Sequence, residues 1–195
     1  MTEEQARDWV VERFGEEAAA QIDYFLNLVI VENDQQNLIA PSTISTIWAR
    51  HALDSVQLIP LADRPDGQWV DIGTGGGFPG MVVALAWPGR MALVEPRKRR
   101  ADFLRDCAER LGVADRVTVH ASKIEAVDVK ADVISARAVA TVENLCAPLS
   151  TAAHRKHGGC SRVAAWTSAR SRPSSGNGAS CFTWNIASPR RTRRL

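Results

Sequence analysis

The chain has 195 residues, 45% hydrophobic and 24% charged, with a net charge of +2, which fits an ordinary soluble globular protein with one real core. No run of about eighteen apolar residues offers a membrane span, and the acidic start Met1-Thr2-Glu3-Glu4 has no apolar segment that would read as a secretory signal. The four cysteines, Cys107, Cys146, Cys160 and Cys181, contain no CxxC pair, so free thiols in a cytoplasmic protein are expected rather than a disulfide framework.

Residues 3–13 read as a helix capped by Thr2, with Glu3 and Glu4 in its first turn. Residues 16–31 read as a second, because Ile22, Phe25, Leu26, Val29 and Ile30 fall on one apolar face. The polar run Glu32–Asn37 ends it. Ser42 or Thr43 suits the cap of a third helix through Trp48, and Leu53, Val56 and Leu58 continue the pattern toward Pro60. Residues 1–60 are therefore predicted to be a helical extension, followed by a turn-rich linker at 61–68.

Strands and helices then alternate. Strands are predicted at Gln68–Asp71, Met91–Glu95, Val117–His120 and Ala131–Ser135. Helices are predicted at Gly80–Trp87, at Lys98–Leu111 with Gly112 as its stop, and at Val142–Leu149. This order implies a parallel sheet with crossover helices on both faces, filling a domain over residues 61–150.

Residues 151–195 differ in kind. Residues 1–143 hold 15 Lys/Arg and all 22 Asp/Glu, whereas 144–195 hold nine Lys/Arg and no acid. Periodicity fades after about residue 155, and the stretch R-S-R-P-S-S-G-N-G-A-S at 170–180 is rich in breakers. The segment reads as a basic, disordered tail, with a nucleic-acid arm and a frame-shifted end as the other readings. His154-x-x-His157-x-x-Cys160 has loose metal-ligand spacing, but it lies in this irregular stretch.

The chemistry is concentrated in Trp69–Gly80, W-V-D-I-G-T-G-G-G-F-P-G. A strand, a glycine turn and a helix open a nucleotide-type βαβ unit, and the glycines let the chain turn sharply with bare backbone facing a ligand. Two registers compete. Asp71, Gly73, Gly75 and Gly77 form D-x-G-x-G-x-G, the S-adenosylmethionine (SAM) pattern. Gly75, Gly77 and Gly80 form G-x-G-x-x-G, the dinucleotide pattern. Glu95, 20 residues beyond Gly75, suits the ribose hydroxyls of either ligand. Asp71 separates them. A carboxylate repels a pyrophosphate but attracts the sulfonium and ammonium of SAM. SAM is the favoured cofactor, and an NAD-dependent oxidoreductase is the alternative.

With these residues in view, the sequence resembles the bacterial 16S rRNA guanine-N7 methyltransferases, the RsmG/GidB family. The matching pieces are Asn37-Leu38-Ile39, Arg50-His51-x-x-Asp54-Ser55, D-I-G-T-G-G-G-F-P-G at 71–80, Lys98-Arg99 before Phe103-Leu104, Lys123-Ile124-Glu125 and Ser135-Ala136-Arg137-Ala138. They span about residues 20–150. The resemblance implies a class I SAM-dependent methyltransferase, a Rossmann-like α/β fold with a parallel sheet behind the N-terminal helical extension. It implies methylation of N7 of one guanine, position 527, in 16S rRNA of the small ribosomal subunit, by a cytoplasmic monomer. Gly73 and Phe78 would then line the SAM loop, Ile124 and Glu125 would flank the adenine, and Arg137 would lie over the methyl-transfer site. A basic residue at the carboxyl end of a parallel strand also faces the ligand crevice on general grounds.

His51 and Asp54, at i and i+3, suit either a substrate contact or helix packing. The run Arg97-Lys98-Arg99-Arg100 suits rRNA phosphates or a solvated helix face. Guanine N7 has a free lone pair, so no catalytic base is expected. The chain departs from the family near its end, where a further strand, a K-G motif and a closing hairpin are expected and no strand is legible. The C-terminal strands are therefore expected to be missing, which leaves an inactive family member as a third reading.

Overall fold

The computed structural model describes residues 1–62 and 65–137, and the backbone alone of 162–166 and 180–184. Helix α1, Glu3–Gln36, opens with a capping box in which the Thr2 hydroxyl accepts from Gln5 N and the Gln5 side chain accepts from Thr2 N. The helix is broken at Gly15, whose φ of 88° is left-handed, so the two predicted helices are the two arms of α1. The second arm buries Ile22, Phe25, Leu26 and Val29, the predicted face. Asn37 ends it in the left-handed conformation, and buried Asn33 then accepts from Ile39 N at 2.8 Å.

The third predicted helix takes another form. A 3₁₀ turn at Pro41–Thr46 runs into a π turn at Trp48–Ala52 and then into the short α2, Leu53–Val56. Neither Ser42 nor Thr43 caps a helix. The Thr43 hydroxyl instead donates back to Ala40 O at 2.8 Å. The π turn is capped from α1. The Glu3 carboxylate accepts from Trp48 N and Ala49 N, and Asp23 accepts from the Trp48 indole. A π turn widens the ring and swings side chains off the α-helical stripe, and it carries His51.

The sheet follows, with strands β1 Gln68–Ile72, β2 Arg90–Val94, β3 Val117–His120 and β4 Val133–Arg137. Helix α3, Gly80–Ala86, joins β1 to β2, and α4, Lys98–Arg110, joins β2 to β3. All pairings are parallel. Helix α4 stops at Gly112, φ 68°, as expected. Two further strands, β5 Arg162–Trp166 and β6 Ser180–Trp184, extend the sheet beside β4, also in parallel. The expectation of missing C-terminal strands is therefore corrected in the backbone. Both runs lie among breaker-rich flanks that interrupt the strand–helix alternation by which β1 to β4 are legible. The helix predicted at 142–149, the His154/His157/Cys160 spacing and the rest of the tail lie outside the described residues.

The strand order is β3-β2-β1-β4-β5-β6. The chain steps outward from β1 to β3 and then returns to the other side of β1, so the carboxyl ends of β1 and β4 flank the switch point where such sheets bind ligands. Alternation along the strands sorts the core into two layers. Trp69, Met91, Leu93 and Val133 face α1–α4, while Val70, Ile72, Ala92, Val94, Ile134 and Ala136 face the opposite way. Among the described residues the helices pack on the first face alone. The segment with Ile124, Val127, Val129 and Ala131 covers the second.

Candidate functional site

The loop after β1 hangs on β2: Gly73 N and Thr74 N both donate to Val94 O, at 2.8 and 3.3 Å. Gly73, Gly75 and Gly77 all have positive φ, at 69°, 61° and 100°. The other constraint on the glycines is space. A Cβ on Gly77 would overlap the Phe25 ring, and one on Gly76 would lie 2.9 Å from Leu38 Cβ. The helical extension therefore forms the floor of the loop. Gly75 has room for a Cβ, which would make only ordinary contacts with Arg100 Nη1 and Gly73 O at 3.8 Å.

Two carboxylates bracket the loop. Asp71 is wholly buried: Oδ2 accepts from Gly80 N at 3.1 Å and Oδ1 from the Ser135 hydroxyl at 2.6 Å. Ser135 accepts in turn from the Trp69 indole at 2.9 Å. Burial pushes the Asp71 carboxyl up to about 6, against the hydrogen bonds from Ser135, Thr74 and Gly80 that favour the anion. Asp71 thus ties the start of α3 to β4, with both of its oxygens already engaged inside the protein.

Glu95, at the end of β2, is 4% exposed; Oε2 accepts from Gly75 N at 2.8 Å and Oε1 from Arg97 N at 2.9 Å. Each carboxylate oxygen keeps a second lone pair, so Glu95 can still accept from a diol while its backbone partners hold it still. Gly75, held by the Glu95 carboxylate, suits the hydroxyls of an uncharged ribose.

Arg137 ends β4. Its guanidinium lies over the Phe78 ring, 5.2 Å from the centroid, and Nη1 is 3.1 Å from His51 Nδ1. Phe78 is itself buried against Phe25 and His51, at centroid distances of 5.5 and 4.9 Å. The other nitrogen of His51, Nε2, is 2.8 Å from the Thr43 hydroxyl. Burial, reinforced by Arg137 and Arg50, pushes His51 down to about 4. Burial pushes Asp54 up to about 6, with Arg50 and Arg137 opposing. Burial also lowers Arg137, while Asp71 and Asp54 favour its charge. His51 and Asp54 therefore share one neighbourhood, but the imidazole bonds to Thr43 and Arg137.

Ile124 packs from the 3₁₀ turn Ile124–Ala126 onto the second face of the sheet, and Glu125 beside it is exposed. The basic run divides. Arg97, Lys98 and Arg99 are exposed, whereas Arg100 turns inward and donates to Asn37 O at 3.1 Å, above Gly75. Buried Cys107, whose thiol burial pushes up to about 12, is an inert core residue. No cluster of metal-ligating side chains occurs among the described residues.

Sequence reasoning missed Ser135, Thr43 and the inward turn of Arg100. Ser135 had a signal: a hydroxyl inside an apolar strand must find a partner, and its register partner is Asp71. Thr43 had none, because its partner is made by a π turn.

Residues 18–159 match a family described as rRNA small subunit methyltransferase G, GidB. Among curated relatives, the chain is 48% identical over 148 residues to ribosomal RNA small subunit methyltransferase G of Rhizorhabdus wittichii, covering 74% of this chain and 68% of that one. It is 46% identical over 147 residues to the protein of the same name from Sphingopyxis alaskensis, covering 73% and 63%. The chain thus spans about two thirds of the length of these relatives. A solved RNA methyltransferase from Salinibacter ruber, in complex with S-adenosyl-L-homocysteine, overlaps 50% of this chain and 65% of its own at 23% identity and a TM-score of 0.44.

Proposed function

The chain belongs to the rRNA small subunit methyltransferase G family, and from that premise we propose that it transfers the methyl group of SAM to N7 of the guanine at position 527 of 16S rRNA. The observation that carries the reading is the match over residues 18–159, which includes the glycine loop, Glu95 and Arg137 together. The working parts are a helical extension over 1–60 and a SAM-binding α/β domain over 61–150, whose sheet gains β5 and β6 from the basic segment 151–195. The protein acts as a cytoplasmic monomer on the small subunit. No described helix is long and apolar enough to cross a membrane.

What SAM supplies when bound is a methyl group on a positively charged sulfur that accepts the C–S electron pair as the bond breaks. The N7 lone pair makes the new bond, the positive charge passes to the base, and no proton moves. The chain therefore needs no general base, and its task is positioning and electrostatics. Gly73 and Gly75 expose backbone to the cofactor. Glu95 accepts from the ribose hydroxyls. Ile124 and Glu125 flank the adenine. Asp71 acts from behind the loop by fixing the start of α3, and Phe78 gives the loop its apolar base. Arg137 directs its planar fork at the guanine O6, which leaves the N7 lone pair open. His51 serves the substrate side through Arg137.

The test is tritium labelling from SAM of 30S subunits that lack the modification, with the labelled nucleotide mapped. Label at N7 of that guanine is expected. Label elsewhere, or none from soluble, cooperatively melting protein, overturns the reading. A thermal shift with NAD and none with S-adenosylhomocysteine would restore the oxidoreductase alternative.

A further inference from the structure

The contacts around His51 determine which of its nitrogens carries the proton. A guanidinium can only donate, so Nδ1, 3.1 Å from Arg137 Nη1, must be the bare nitrogen. At the other side, the Thr43 hydroxyl has one proton, and it goes to Ala40 O at 2.8 Å. Thr43 Oγ1 must therefore accept from His51 Nε2–H across 2.8 Å. Both ends demand the same neutral tautomer. The line Ala40 O, Thr43, His51, Arg137 is then a complete donor-to-acceptor chain. It begins in a 3₁₀ turn of the extension and ends at the carboxyl end of β4, and its last step spans 86 residues of sequence.

The backbone holds this line from outside. His51 O accepts from the Ser55 hydroxyl at 2.6 Å, and the His51 ring stacks on Phe78 at 4.9 Å between centroids. The imidazole therefore has little freedom to turn.

We propose that Thr43 is a positioning residue: by holding His51 with a bare Nδ1, it fixes the guanidinium of Arg137 over Phe78 at the methyl-transfer site. The proposal rests on the methyltransferase reading for its consequence, but not for its geometry. The hydroxyl never touches the base. It acts two hydrogen bonds away, by settling where the only long cationic side chain of β4 can point.

The test has a structural arm and a kinetic arm, both on the full chain. In the first, nitrogen-15 NMR of the wild-type protein at neutral pH is expected to show His51 protonated at Nε2 alone. Thr43→Val is expected to shift the His51 ring signals and broaden the Arg137 guanidinium signals, and Thr43→Ser to restore both. A wild-type His51 protonated at Nδ1, or Arg137 signals identical in Thr43→Val, overturns the proposal whether or not the protein methylates RNA.

In the second arm, single-turnover labelling of unmodified 30S subunits is measured beside the SAM dissociation constant. Thr43→Val is expected to slow transfer by about tenfold while SAM affinity stays within about twofold, because the part-buried hydrogen bond to His51 and the one to Ala40 O are lost away from the glycine loop. Thr43→Ser should recover most of the rate. His51→Asn places an acceptor where Nδ1 stood and should lose less than His51→Gln, which places its amide where Nε2 stood. A Thr43→Val rate equal to wild type, or equal losses in the two His51 variants, overturns the proposal while leaving the methyltransferase reading intact. Wild-type protein that labels no guanine counts against the functional reading, and the NMR arm then decides this one.

Discussion

The two sides of the glycine loop do different work. On the inner side, Gly76, Gly77 and Gly80 are glycine because there is no room for anything else: Leu38, Phe25 and the pair Leu93 and Asp71 occupy the space a methyl group would need. On the outer side, a Cβ on Gly75 would meet only ordinary contacts, Arg100 Nη1 and Gly73 O at 3.8 Å, so its φ of 61° is what favours glycine there, on the side proposed to face the cofactor. One motif thus combines a packing requirement, set by the extension and the sheet, with a binding requirement. Substitutions should separate the two.

The largest effect is expected on the inner side. Gly77→Ala should cost several kcal/mol, on the order of 3 or more, because overlap with Phe25 adds to backbone strain at φ 100°. The melting temperature is expected to fall by roughly ten degrees or more. Shrinking the obstacle sharpens the test, because Phe25→Leu should recover part of the loss when combined with Gly77→Ala but should destabilise on its own. A Gly77→Ala protein that melts like wild type would break the distinction between the two sides.

Next comes Glu95→Ala, on the outer side. Calorimetry should show SAM affinity falling by about tenfold or more, since the proposed ribose acceptor is gone and the amides of Gly75 and Arg97 lose their partner. Melting of the free protein should move much less than in Gly77→Ala. Unchanged SAM affinity would contradict the site assignment.

Gly75→Ala should be milder in the fold and visible in the ligand. No atom lies within 3.8 Å of the new methyl, so only the left-handed strain remains, about 1–2 kcal/mol. SAM affinity should nevertheless fall, because the methyl projects into the side proposed to face the cofactor. Equal losses of stability in Gly75→Ala and Gly77→Ala would erase the contrast.

The smallest effect is a pH dependence at the edge of the site. His51 is held down to about 4 from an ordinary 6.5, chiefly by burial. The unfolded chain takes up this proton first, so the stability that depends on a neutral His51 is present above pH 6.5 and is lost as pH falls through 6.5 toward 4. The melting temperature of wild type minus that of His51→Asn should therefore shrink by a few degrees across that window. A constant difference would mean that the imidazole is not held neutral by the fold.

Local chemistry explains what was legible in the sequence. The arms of α1, the β1–loop–α3 unit, Gly112 as a helix stop and Glu95 at the end of β2 follow from periodicity, glycine and spacing, which act over a few residues. The line from Thr43 through His51 to Arg137 does not. It needs a π turn to swing His51 out of helical phase and a sheet crossover to bring β4 beside β1, and no short window of sequence encodes either. The same holds for Arg100, which belongs to a basic run by sequence but is drawn out of it by a carbonyl 63 residues away. The strands at 162–166 and 180–184, as long as β1 and β4, were missed for a local reason, since breaker-rich flanks interrupt the strand–helix alternation that made the earlier strands legible.

The Glu3 carboxylate on the amides of Trp48 and Ala49 has a practical consequence for anyone trimming this protein. The first turn of the chain braces the segment from which His51 projects, and the same helix supplies Phe25 beneath the cofactor loop. A shortened version starting at the sheet would keep every residue of the nucleoside-binding motif and yet lose what it stands on. An amino-terminal tag fused close to Thr2 would disturb a contact that reaches, through one turn of backbone, to His51.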